Sequence, residues 1–262
     1  MSSTQFLEDS NNVFVILPCY NEEESLERLL ARFKRLCKIS NRSFYFVVVN
    51  DGSTDHTLYV AQTFKKEMPI HIINFENNQG VATAFNTGFA YVIEKASDDD
   101  IIITIDSDNT MNPYVILDIL EGMKKSDVVI ASRFVKGGRM VGAGYRTILS
   151  YVASWLMRWR IGLPNVTDYS IFYRGYRAKI IRTTFNYYNG KPVAGKSFAS
   201  MANLLIRMYR ANQNLLFTEV PLVLRYDLKE GGSSIKILQT IWGYLMISFT
   251  FPNNNDTKFL LL

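Results

Sequence analysis

The chain has 262 residues, of which 48% are hydrophobic and 20% charged, excluding a disordered, collagen-like or coiled-coil protein. Two cysteines, Cys19 and Cys37, and two histidines, His56 and His71, exclude a disulfide-stapled fold, a zinc ribbon and a histidine-rich metal centre. Net charge is +5, unevenly shared: residues 1–121 carry 9 basic and 18 acidic side chains, and residues 122–262 carry 20 and 6. An acidic half can seat a divalent cation, and a basic half can hold an anion or rest on an anionic surface.

Residues 13–17, VFVIL, are an apolar run stopped by Pro18 and predict a buried strand. Leu26, Leu29, Leu30, Phe33 and Leu36 recur at helical spacing over 22–38, with acidic residues first and basic residues last, as the helix dipole favours. Residues 44–49 predict a second strand, ended by the turn signal Asn50-Asp51-Gly52. Ser53 or Thr54 is then expected to cap a helix reaching about residue 66. Residues 70–75 predict a third strand, Gly80 opens a helix through 95, and residues 101–105 predict a fourth strand ending at Asp106. Asp98-Asp99-Asp100 precedes that strand and reads as a solvated turn. Pro113 suits the first turn of the next helix, and residues 128–131 predict a fifth strand.

Beyond it, the glycine-rich stretch 137–144 reads as a mobile loop, while 145–160 and 197–211 read as helices. Residues 215–224 contain Pro221 and predict an edge strand at best. Residues 234–251 predict an apolar helix, followed by a polar tail at 253–256. Alternating strands and helices point to an α/β fold with an open, mostly parallel sheet and helices on both faces. Ligands of such sheets bind beyond the carboxyl ends of the strands. That makes Pro18 to Glu22, Asp51, Asp106-Ser107-Asp108 and Ser132-Arg133 the candidate chemistry. Asp106 and Asp108, one residue apart, offer hard oxygen ligands for Mg²⁺ or Mn²⁺.

These motifs, with Gly80 and residues 84–88 between them, resemble the family 2 glycosyltransferases, which have the Rossmann-like GT-A fold. The resemblance covers roughly residues 11–225. Arg133-Phe-Val-Lys136-Gly-Gly138 and Asp168-Tyr-Ser-Ile-Phe-Tyr-Arg174-Gly-Tyr-Arg177 look like the dolichyl-phosphate mannose synthase and polyprenyl-phosphate branch. It implies that Pro18, Tyr20, Glu22, Asp51 and Gly80 hold the nucleotide sugar, and that Asp106 and Asp108 hold the cation and diphosphate. It further implies that Arg133 and Arg174 face the phosphates of donor and acceptor. Lys136, Asp168 and Arg177 would line the acceptor side. Ile171-Phe172, Thr110, Ser200 and Asn203 stand where relatives often have other residues.

The implied reaction moves a hexosyl group, with inversion, from GDP-mannose or a UDP-hexose to dolichyl or undecaprenyl phosphate. Between 128 and 218 the chain has fourteen basic residues and one carboxylate, Asp168. A phosphate acceptor needs a cationic clamp and no general base, so Asp168 is expected to orient an arginine, and a shared cavity is expected to join Asp108 to Arg174. A glycan hydroxyl acceptor, with Asp168 as base, and a non-catalytic nucleotide-binding protein stay open as alternatives.

Nucleic acid is set aside, because it would leave the acidic half unexplained. No apolar run reaches about 18 residues without a charge, and residues 1–12 lack a signal peptide's pattern. Tyr151, Trp155, Trp159 and Ile161 recur at helical spacing beside Arg158 and Arg160, which suits a membrane interface, a core helix or a partner surface. The expectation is a peripheral protein on the cytoplasmic face of a membrane, anchored with a partner or as a homo-oligomer. Residues 1–228 would form the transferase domain and 229–262 an amphipathic helical extension that could lie in the membrane interface.

Overall fold

The computed structural model describes residues 11–228 apart from 196–198; the helix expected at 234–251 and the 253–256 tail lie outside them. Nine strands and seven α-helices are described, in the order β1 (Val13–Cys19), α1 (Glu23–Ile39), β2 (Phe44–Asn50), α2 (Thr57–Lys65), β3 (Ile70–Asn74), α3 (Val81–Lys95) and β4 (Ile101–Thr104). There follow α4 (Ile116–Gly122), β5 (Val128–Ser132), β6 (Arg139–Val141), α5 (Tyr145–Arg160), β7 (Arg174–Arg177), α6 (Ala178–Tyr187), α7 (Ala199–Ala211), β8 (Phe217–Pro221) and β9 (Val223–Arg225). A 3₁₀ turn, Pro113–Val115, leads into α4, with the Asn112 side chain accepting from the Tyr114 N–H.

Seven strands make one sheet in the order β3-β2-β1-β4-β7-β5-β8, all parallel except β7. The central strands are apolar on both faces because both faces are covered. Ile16 lies under Gly88 of α3, and Phe89 of α3 packs edge-on against Tyr176 of β7. Phe33 of α1 packs on Phe46, and Ile119 of α4 on Gly175. Helices α1 and α4 therefore cover one face and α3 the other. The order turns back at β1: the chain moves outward to β2 and β3, then returns to β4 on the other side. That reversal opens a crevice at the carboxyl ends of β1 and β4.

Several expectations are corrected. Strand β7 and helix α6 have no counterpart in the sequence reading. Strand β7 is short and polar, Arg-Gly-Tyr-Arg, and becomes a strand by filling the slot between β4 and β5. The 137–144 stretch holds β6, which pairs with β9 in register Arg139↔Val223 to Val141↔Arg225. Ser53 and Thr54 do not cap α2. That helix starts at Thr57, whose N–H donates to Asp55 Oδ1 at 2.9 Å. Asp100 is buried, not solvated, and its carboxylate accepts the N–H groups of Asn12 and Ser97 at 2.8 Å each.

A Cβ at Gly175 would stand 2.4 Å from Ile119 Cγ2, so Gly175→Ala overpacks the β7–α4 contact. It should cost about 1–3 kcal/mol, read as a lower urea midpoint at unchanged slope.

Candidate active site

The first wall of the crevice is laced together by short-range polar bonds. Asn21 sits in left-handed backbone (φ 53°) after β1, so its side chain turns toward the loop after β2. Its N–H donates to Ser53 Oγ at 3.0 Å, and its Oδ1 accepts the Thr54 N–H at 2.8 Å. The Glu22 N–H donates to Thr57 Oγ1 at 2.8 Å, and the Glu23 N–H to Asp55. The ends of β1 and β2 thus form one rigid rim, on which Tyr20 is 46% exposed and Glu22 half-buried.

Asp51 is buried at the end of β2. Its two oxygens accept the N–H groups of Gln79 and Gly80, at 2.7 and 2.9 Å, so the carboxylate pins the entry of α3. Gly80 takes φ 90° there, a backbone state that suits glycine. Asp51 therefore has a structural duty beside any ligand contact. Carboxylate oxygens carry further lone pairs, so the two uses are compatible.

Asp106 is half-buried and Asp108 buried, both just past β4. Between them Ser107 donates to the Pro18 carbonyl at 2.8 Å, closing the crevice floor from β4 to β1. Asp108 Oδ1 accepts from the Thr110 N–H and hydroxyl, at 3.1 and 2.7 Å. Arg32 of α1 reaches over to Asn109 and Asn112, and the Thr110 carbonyl accepts the Arg225 N–H at 2.9 Å. The aspartate turn is thus held from both sides. No third Asp, Glu, His or Cys joins the pair among the described residues. Two carboxylates alone suit a hard cation that completes its shell with water and diphosphate oxygens. Burial pushes the nearby Cys19 thiol up to about 12, so it offers no thiolate nucleophile.

The basic half differs most from expectation. Arg133, just after β5, and Asp168 are 4% and 0% exposed and form a forked ion pair, with Nε–Oδ2 and Nη2–Oδ1 both at 2.7 Å. Asp168 also accepts the N–H groups of Arg133, Ser170 and Ile171. Glu219 of β8 supports it from behind, accepting the Thr167 and Asp168 N–H groups at 2.7 and 2.8 Å.

Arg174 does not line an accessible pocket. It is fully buried on β7, and its guanidinium donates to the Met201 and Tyr169 carbonyls at 2.7 Å each. Arg177 is level with Ile101, at the opposite end of the sheet from Asp106, where it bonds the Met123 carbonyl at 2.7 Å. The resemblance implies Arg174 at a phosphate and Arg177 on the acceptor side. Antiparallel β7 instead turns one into the core and carries the other to the far edge. Lys136 is exposed on the loop after β5.

Helix α5 buries Ser154 and Met157 and turns Ile148, Tyr151, Val152, Trp155 and Trp159 outward. Trp155 and Trp159 are 66% and 68% exposed and stack on each other, so this stripe is not a core face. Among the described residues no helix is long and apolar enough to cross a membrane.

The family model for glycosyl transferase family 2 matches residues 14–185, a span that includes Pro18, Asp51, Asp106, Asp108, Arg133 and Asp168. The chain belongs to that family. Within it, the chain is 31% identical over 212 residues to the undecaprenyl-phosphate mannosyltransferase of Micrococcus luteus, covering 80% of this chain and 82% of that protein. It is 35% identical over 158 residues to the dolichol-phosphate mannosyltransferase of Pyrococcus furiosus, covering 60% of this chain but 42% of that longer protein. Among solved structures, glucosyl-3-phosphoglycerate synthase from Mycobacterium tuberculosis, in complex with Mn²⁺ and UDP-glucose, superposes with TM-score 0.66 at 17% identity over 93% of this chain and 81% of that one. That likeness establishes the GT-A sheet.

Against this family 2 frame, the sequence reading missed Glu219 and Arg225. Glu219 lies one residue past the interval in which Asp168 is the lone carboxylate, so extending that interval to 221 finds it. Arg225 is marked only by the β6–β9 pairing, which the sequence does not announce.

Burial raises the Asp168 pKa, but the charge and hydrogen bonds of Arg133 outweigh it and hold the group below its ordinary 3.8. A depressed native value gives stability that is complete above the ordinary range and lost as pH falls through the native value. Asp168→Asn should therefore cost about 3–5 kcal/mol at neutral pH, since it strands a buried cation. It should also flatten the loss of stability below pH about 4. Urea melts at several pH values check both, and a double variant with Arg133→Met should recover part of the loss.

Proposed function

We propose that this protein transfers a hexosyl group, with inversion, from a nucleoside diphosphate sugar to a polyprenyl phosphate at a membrane surface. The observation that carries the reading is the gathering of Asp51, Asp106 and Asp108 at one crevice of a family 2 sheet. The names of the two mannosyltransferase relatives support the acceptor. The exposed Tyr20 and the rim formed by Asn21 and Ser53 suit a nucleoside.

An acceptor phosphate oxygen would attack the anomeric carbon as the bond to the diphosphate breaks, and the leaving diphosphate takes the bonding pair. Asp106 and Asp108 would hold Mg²⁺ or Mn²⁺, a Lewis acid that offsets this growing negative charge. Lys136 is an exposed cation at the same end of the sheet and would draw a phosphate there; Arg225, exposed and ion-paired with Asp227, would add a second charge. A phosphate with a second pKa of about 6 is already a nucleophile, so no base is needed. Asp168 and Glu219 are committed to Arg133 and to backbone N–H groups, and Asp227 is ion-paired with Arg225. Their commitment favours a phosphate acceptor over a sugar hydroxyl.

The outward stripe of α5, with Arg158 and Arg160 on its last turn, would rest on anionic headgroups and keep the active site beside its lipid substrate.

With Mn²⁺, labelled GDP-mannose or UDP-glucose and a polyprenyl phosphate, the expected product is a solvent-extractable glycolipid. Label in a glycan, or binding without product, would overturn the reading. Asp108→Asn should lower turnover by at least about 100-fold with unchanged circular dichroism, the scale of losing an electrostatic catalytic group. Replacing Trp155 and Trp159 together by Ala should weaken binding to phosphatidylglycerol vesicles at least about tenfold. Turnover of a short-chain, water-soluble acceptor should be unaffected.

A further inference from the structure

A cavity of about 850 Å³ lies between α3 and residues 187–195. None of its lining residues is acidic; its charged members are Lys191 and Arg207. One wall is set by Asn86, whose side-chain amide donates to the Val193 carbonyl at 2.8 Å and accepts the Val193 N–H at 2.9 Å. This two-way pairing makes Asn86 act as a strand neighbour for a loop residue 107 positions away. The opposite wall is set by Arg207, which donates one N–H to the Lys191 carbonyl at 2.7 Å and stacks on Tyr188 at 4.4 Å.

The rest of the Arg207 guanidinium has no hydrogen-bond partner among the described residues. Burial lowers its pKa, and so does the neighbouring charge of Arg210. Ala82, Thr83 and Asn86 of α3 also border the cavity. A half-buried arginine held flat by stacking, with donors to spare and no carboxylate nearby, matches the fork of a phosphate oxygen pair.

We infer that this cavity is a second anion site, in which Arg207 and Lys191 bind a phosphate group and Tyr187 and Tyr188 pack against whatever bears it. It goes beyond the transfer reaction and shares no residue with the Asp106–Asp108 seat. The phosphate can come from a soluble phosphorylated molecule or from a phospholipid headgroup.

The test uses the full chain without metal, titrated with inorganic phosphate and followed by ¹⁵N spectra. The reporters are the Asn86 side-chain amide and the Val193 amide. Both signals should move in the wild type, and the apparent Kd should rise at least about tenfold in Arg207→Gln, as expected for loss of a charge-assisted forked contact. Lys191→Gln, which keeps the backbone carbonyl that anchors Arg207, should weaken binding while leaving the phosphate-free spectrum near residue 193 unchanged. Asp108→Asn should bind phosphate as the wild type does, so the result is independent of turnover. Phosphatidylglycerol vesicles that displace phosphate would support the site with a lipid headgroup as its ligand; vesicles that do not would support it with a soluble one. Static reporters at phosphate concentrations that move other signals, or equal Kd in the wild type and both variants, would overturn the inference.

Discussion

The ion pair between Arg133 and Asp168, withdrawn from water at both ends, organises the half of the molecule where charge is otherwise in excess. A carboxylate and a guanidinium gain nothing from burial separately, and each would cost several kcal/mol if stranded. Together, with Ser170 and three backbone N–H groups completing the shell, they join the end of β5 to the 163–171 segment. Glu219 carries the same bracing to the edge strand β8. Loops that would otherwise drift become one fixed shelf beside the crevice.

The acidic half solves a different problem. Three of its carboxylates stay near the carboxyl ends of the strands because they are tied to backbone there. Asp51 holds the N–H groups of Gln79 and Gly80 just ahead of α3, Asp55 that of Thr57 at the start of α2, and Asp108 that of Thr110. Orientation is thereby settled before any ligand arrives, which lowers the entropy cost of binding. The Ser107 bond to Pro18 spans the point where the strand order reverses, so the two carboxylate-bearing loops meet over a floor that cannot open without breaking it.

The five strands read from apolar runs, and the helices of the first half, are present because their local pattern and their burial agree. Strand β7 shows the reverse. Arg-Gly-Tyr-Arg has no apolar alternation, yet it lies between two strands that need partners, with a glycine where α4 presses closest. Strand β6 is similar: residues 139–141 are unremarkable until β9 arrives beside them. The basic residues of the second half were legible as a surplus and illegible as positions. Counting charges does not tell a clamp from a buried pair, and Arg133, Arg174 and Arg177 end in three different environments.

The amino-acid order by itself determined the α/β class, the family and the carboxylates at the strand ends, because these depend on residue type and short spacing along one chain. Only the tertiary structure decided which arginines meet solvent and that the aromatic stripe of α5 faces outward. It alone brought Glu219 behind Asp168, and Asn86 against Val193. Those outcomes depend on which distant segments pack together, and burial, unlike hydropathy, is a property of the neighbours a residue acquires.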